Sequence, residues 1–222
     1  MEGKRMSSSV AILFFLLVVA FTPMASSDPD PVQDFCVPVL WHGPNHTVHP
    51  IFPLCKNSSE VTVDDFVFSG IKSPGDYEAT GFSGISVNPT VFPGLNTLGM
   101  SFVRADLDEG GVNVPHYHPR ATEIAVVLEG TVYSGFVDST NRVFAKVIEK
   151  GEVMVFPKGL VHFQMNVGDS PATIFGSFNS QNPGQEKLPL TLFGSGIEGK
   201  LLEKAFGLSK REVENLRRRF GS

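Results

Sequence analysis

From about residue 98 to residue 179, apolar and polar side chains alternate with a period of two in short runs. Such runs, rich in Val, Ile, Phe and Thr, read as half-buried strands. They cover residues 98–106, 123–128, 131–138, 143–148, 152–156, 161–167 and 173–179. Turn-forming clusters separate them: Glu129-Gly130, Ser139-Thr140-Asn141, Lys150-Gly151, Pro157-Lys158-Gly159 and Gly168-Asp169-Ser170-Pro171. Short strands at this spacing predict an all-β sandwich or barrel, with the jelly roll as leading candidate. After Pro183 the period changes. Leu201, Leu202, Ala205 and Phe206 recur at helical spacing and stop at Gly207. Ser209 and Glu212 form a capping box ahead of Val213, Leu216 and Phe220. These two short helices carry one apolar face each, to be buried either on their own barrel or around a neighbouring subunit.

The first residues have a different texture. Lys4 and Arg5 precede an unbroken apolar run from Val10 to Phe21. A spanning helix needs about 20 such residues, so the run reads as a signal-peptide core rather than a membrane anchor. Ala25, Ser26 and Ser27 supply small residues for cleavage after Ser27. The expected organisation is a signal peptide over 1–27 and an extended Pro-, His- and Asn-rich arm over 28–64. A β barrel over 65–184 and a C-terminal helical extension over 185–222 follow.

Composition narrows the function. The chain has 222 residues, 41% hydrophobic and 18% charged, with a net charge of −5. That is enough apolar material for one sizeable core, and it excludes disorder along the whole chain. The acidic balance argues against a nucleic-acid surface, which needs clustered Lys and Arg. After signal cleavage no membrane segment is expected. Cys36 and Cys55 are the only cysteines. In a secreted chain an even count reads as one disulfide, here closing a loop of about 20 residues and contributing roughly 3 kcal/mol in the chain-entropy model. The alternative, two thiols acting as metal ligands, lacks the paired CxxC spacing. Asn45-His46-Thr47 and Asn57-Ser58-Ser59 are glycosylation sequons, whereas proline removes Asn88-Pro89-Thr90 from consideration.

The candidate chemistry lies in the histidines. His42, His46 and His49 belong to the arm; His116, His118 and His162 belong to the strand region. His116 and His118 are two apart, so on a strand they face one side. Glu123 has the wrong parity for an uninterrupted strand, and the bend offered by Pro119 and the residues after it returns it to the same pocket. On the strand around His162, Val161, Phe163 and Met165 face one way. His162, Gln164 and Asn166 face the other, a polar stripe that needs a pocket rather than a core. Three imidazoles and one carboxylate make a four-ligand set with two positions open to water, suited to Mn, Fe, Ni or Zn.

The stretch from Gly110 through His116, His118 and Glu123 to Gly130 fits the pattern G(X)5HXH(X)4E(X)6G. The stretch from Gly151 through Pro157, Gly159 and His162 to Asn166 fits G(X)5PXGX2HX3N. Both patterns are those of the cupins. With the arm around Cys36 and Cys55 and the segment Phe178-Asn-Ser-Gln-Asn-Pro-Gly184, the chain resembles the plant germin-like proteins along its mature length. The resemblance implies a single cupin β jelly roll that binds manganese through His116, His118, Glu123 and His162. It further implies a secreted, glycosylated protein of the apoplast, associated with the cell wall and assembled as a homo-oligomer, a hexamer built as a trimer of dimers. In oxalate-oxidising germins two pocket asparagines receive the substrate. One matches Asn113; the other falls at Val103, which donates nothing, so oxalate oxidation is expected to be absent or feeble. Gln164 and Asn166 complete the expected pocket lining. Two classes of function remain: a manganese oxidoreductase of the superoxide dismutase kind, or a defence-related or small-ligand-binding extracellular protein without catalysis.

Overall fold

Alternating runs become strands because every second side chain falls on one face, and burying that face is what holds the sheet. The computed structural model describes residues 33–39 and 54–221. Among these residues ten strands follow one another: β1 Phe82–Val87, β2 Ser101–Leu107, β3 Val112–Tyr117, β4 Glu123–Glu129, β5 Thr131–Val137, β6 Val143–Glu149, β7 Val153–Phe156, β8 Val161–Asn166, β9 Ala172–Phe178 and β10 Glu186–Lys187. All pairings are antiparallel. They form two sheets, β1-β2-β9-β4-β7 and β10-β3-β8-β5-β6, packed face to face as a β jelly roll. No helix among the described residues is long and apolar enough to cross a membrane.

The space between the sheets is graded along its length. On β4 the inward positions are Glu123, Ala125 and Val127, and their partners on β9 are Phe178, Gly176 and Ile174. On β8 the inward positions are His162, Gln164 and Asn166, all buried. One periodicity therefore supplies an apolar core and a polar site. Leu107, Val127, Val132, Ala172 and Ile174 belong to the core, and the imidazoles and Glu123 occupy the interior nearer Phe156 and Phe178.

Asn166 departs from expectation. It does not line the pocket. Its Nδ2 lies 3.2, 3.0 and 2.8 Å from the carbonyl oxygens of Leu107, Asp108 and Ser170, and its Oδ1 accepts the Gly168 N–H at 3.0 Å. A fully buried amide satisfied by four backbone groups is a fastener between the turn after β2 and the turn after β8. Both of its amide hydrogens are committed, so it donates nothing to a ligand.

Some elements carried no clear pattern in the sequence. In β1, Ser83 is buried beside Phe82 and the alternation breaks. β3 was legible only at its His-x-His end, and β10 is two residues long. The helix α1, Leu188–Phe193, is apolar except for Thr191 and contains Pro189, which reads as a breaker. In the first turn a proline costs nothing, because its N–H would have no intrahelical partner. The two expected helices are present as α2, Gly199–Phe206, and α3, Lys210–Phe220. Gly207 takes the left-handed conformation (φ 67°) that ends α2, and the Ser209–Glu212 box opens α3. Leu202 and Val213 are buried, α2 and α3 pack on each other, and α1 packs on β3. Leu201 and Phe206 stay about half exposed, at 56% and 50%.

Cys36 and Cys55 form a disulfide. Around it Val39 N–H donates to Leu54 O and Lys56 N–H to Val37 O, both at 2.8 Å, and Asn96 Nδ2 ties Cys36 O to the barrel. Asn57 caps a short 3-10 turn, Ser58–Glu60, through Ser59 N–H. The signal-peptide residues, Asn45, His42, His46 and His49 lie outside the described residues.

Candidate metal centre

His116 sits on β3 and His162 on its partner β8, where the two residues are register neighbours. Opposed residues on paired strands share a face, so both rings enter the barrel together. His118 follows directly after β3. Glu123 arrives from the other sheet, as the first residue of β4. The stretch from Pro119 to Thr122 thus carries the chain across the barrel, which removes the parity problem in the sequence.

All four residues are buried, and their ligand atoms lie within 4.8 Å of one another. Glu123 Oε2 is 3.2 Å from Nε2 of His118 and 3.2 Å from Nε2 of His162. The rings of His116 and His162 are 4.2 Å apart, centroid to centroid. Adjacent ligands of an octahedral ion bound at roughly 2.1 Å are about 3 Å apart, the same scale.

Backbone carbonyls set the ring orientation. Nδ1–H of His116 donates to Val114 O at 2.8 Å, that of His162 to Leu160 O at 2.9 Å and that of His118 to Gly184 O at 2.5 Å. A carbonyl only accepts, so each Nδ1 holds the proton and each neutral ring turns a bare Nε2 inward. Three nitrogen lone pairs and a carboxylate then converge in a buried space. That arrangement is repulsive unless a cation or protons occupy the middle, so the donor set fits a divalent metal ion. Phe156 stacks on His162 at 4.6 Å and Phe178 packs edge-on to His118 at 4.6 Å, which walls off the rings.

The protonation preferences agree with a ligand role. Burial above all, then the neighbouring His162 ring, pushes His116 down to about 3 and keeps it neutral. Burial would raise Glu123, but the imidazoles of His118 and His162, each 3.2 Å from Oε2, outweigh it when protons stand in for the ion between them, and hold the carboxyl at about 2.

A cavity of about 520 Å³ opens beside the ligands. Asn113, Gln164 and Val103 line it. Asn113 Nδ2 donates to Gln164 Oε1 at 2.8 Å, leaving its buried Oδ1 without a partner.

Gly176 had escaped notice. It pairs with Val103 on β2 and Ala125 on β4. A Cβ there would overlap Glu123 Oε1 and come within 2.8 Å of Val103 Cγ1. The signal was available, because a glycine inside a strand often marks a close approach. Gly176→Ala is expected to displace the Glu123 carboxylate and weaken metal binding by about tenfold or more. Titration of the chelated protein with metal checks this, and an unchanged affinity would show that Glu123 needs no such space.

Residues 69–214 match the family model described as Cupin. The chain is 58% identical to germin-like protein subfamily 3 member 2 of Arabidopsis thaliana over 221 residues, covering 99% of this chain and 96% of that one. The chain is a germin-like member of the cupin family. It is also 56% identical to germin-like protein 2-4 of Oryza sativa subsp. japonica over 214 residues, or 94% of this chain and 93% of its relative. Among solved structures, an oxalate oxidase superposes on this germin-like chain with a TM-score of 0.80. The two are 42% identical over 87% of this chain and 98% of the oxidase.

Proposed function

We propose that the chain is a secreted, manganese-binding germin-like glycoprotein of the plant apoplast, with a defence-related role and without oxalate oxidase activity. The observation that carries the reading is the inward convergence of three bare imidazole nitrogens and the Glu123 carboxylate. When bound, manganese supplies a redox-active, Lewis-acidic centre. The protein's own part is to hold the rings by their Nδ1 protons, keep His116 neutral and pack Phe156 and Phe178 against His162 and His118. The Cys36–Cys55 disulfide supports an oxidising compartment. Asn57 stands in an exposed turn suited to a glycan.

Oxalate oxidation is disfavoured by the cavity wall. Asn113 offers an amide, but Val103 presents methyl groups where a dianion needs a donor. The second reading, a manganese-dependent superoxide dismutase, draws support from the cavity beside the ligands, which gives a small substrate a way in. Metal analysis with oxalate and superoxide assays on one preparation separates these. Stoichiometric manganese with negligible oxalate turnover is expected; oxalate turnover typical of an oxalate oxidase would overturn the reading of Val103.

The outer sheet faces support a homo-oligomer. Ile124, Val153 and Val155 on one sheet and Tyr133, Val147 and Met165 on the other are exposed apolar residues. Contiguous patches of this kind mark association surfaces. A hexamer, built as a trimer of dimers, would use both sheets and the exposed side of the C-terminal helices. Association with the cell wall belongs to the same proposal.

A further inference from the structure

Lys187 lies at the mouth of the metal cavity, and the cupin patterns do not account for it. It is the register partner of His116 across β3 and β10. Opposed residues share a face, so its stem starts beside a metal ligand and runs along the cavity wall. Its Nζ lies 2.6 Å from Glu78 Oε1 and 5.4 Å from the centroid of the Phe82 ring. Among the described residues that line the cavity, it is the sole lysine or arginine.

The two partners of this ammonium differ. Phe82 is buried and fixed in β1, whereas the Glu78 side chain is about half exposed. Ion pairs of that exposure contribute little, so Glu78 holds the lysine in place but yields readily to a better anion. The wall also carries apolar side chains, Phe82, Val103, Ile174 and Phe178, beside the amides of Asn113 and Gln164. The volume exceeds what a two-carbon acid fills and lies in the range of pockets for small organic ligands.

We propose that Lys187 is the anion-binding residue of this cavity, which takes a small monocarboxylate with an apolar body. The carboxylate displaces Glu78 from Lys187, and the body lies along Phe82, Val103 and Ile174 towards the metal. This deepens the reading of the cavity as the ligand side of the metal centre. It rests on that reading only for the direction in which the ligand points.

The test uses 3-phenylpropanoate and its neutral amide as probes. Isothermal titration calorimetry follows both, on the metal-loaded protein and on the same protein after chelation. The carboxylate is expected to bind about tenfold more tightly than the amide in both forms. Lys187→Met, which keeps the apolar stem over Phe82, should abolish that preference, with a thermal melt to establish folding. Glu78→Gln, which removes the competitor, should strengthen carboxylate binding by up to about fivefold. No binding of either probe, equal binding of both, or a preference that survives Lys187→Met would each overturn the proposal. A preference seen only with metal and indifferent to Lys187 would do so while leaving the metal centre intact. A Lys187-dependent preference in a protein that takes up no metal would uphold the proposal and defeat the metal reading instead.

Discussion

His162→Ala is expected to reduce metal affinity by roughly a hundredfold or more, since one of four ligands carries a few kcal/mol of the total. His162 is the ligand on which the site turns. Its ring reaches Glu123 Oε2 at 3.2 Å, stacks on Phe156 and lies 4.2 Å from the His116 ring. Truncation also leaves a cavity against Phe156, at a cost of about 2 kcal/mol or more, so the melt of the chelated variant must be recorded alongside. His162→Gln fills most of that space and separates the two effects: it should fold nearly as well as the parent and still bind metal poorly. Alanine at His42, His46 or His49 should leave metal content unchanged. Elemental analysis of the four alanine variants decides between the histidine sets. Full occupancy in His162→Ala, or loss of metal in an arm variant, would show the ligands to be elsewhere.

Acid is expected to have the second largest effect, in a defined pH window. In the folded, metal-free protein His116 titrates at about 3, against about 6.5 when unfolded. Between those values the unfolded chain carries the extra proton, so stability rises with pH. The contribution is complete above about 6.5 and is lost as pH falls towards 3. Its size is on the order of 4 kcal/mol for His116 alone. Glu123, lowered from 4.5 to about 2, acts in the same direction but only below about 4.5. So do the carboxylates Asp65, Asp138, Glu152 and Glu212, each lowered by hydrogen bonds. The interval from 6.5 to 4.5 therefore separates the buried imidazole cluster from the carboxylates. Chelated protein should lose thermal stability across it. Metal-loaded protein should hold until protons displace the ion, and the gap between the two curves should close in stronger acid. A flat melting curve for chelated protein between pH 7 and 4.5 would refute the assignment of a buried neutral His116.

Much of this molecule was legible in the chain before folding. The two-residue period marked the strands that became β4, β5, β6, β8 and β9, because a strand buried on one face has to alternate. The polar triplet His162, Gln164 and Asn166 announced that this face was not ordinary core. The capping box at Ser209 and the glycine at 207 set the last two helices, since caps are local chemistry. Other features existed only once the sheets had closed. Glu123 joins the histidines because the chain changes sheet between Pro119 and Thr122, which no periodicity records. Asn166 shares its strand face with His162, but the turn after β8 and the distant turn after β2 close over it and engage its amide. Gly176 matters only because Glu123 and Val103 arrive from neighbouring strands. Lys187 became a cavity residue through a two-residue strand, β10, too short to leave a pattern. Local spacing fixes which way a side chain points; what it meets there depends on partners far along the chain, 39 positions away for His162 with Glu123 and 109 for Lys187 with Glu78.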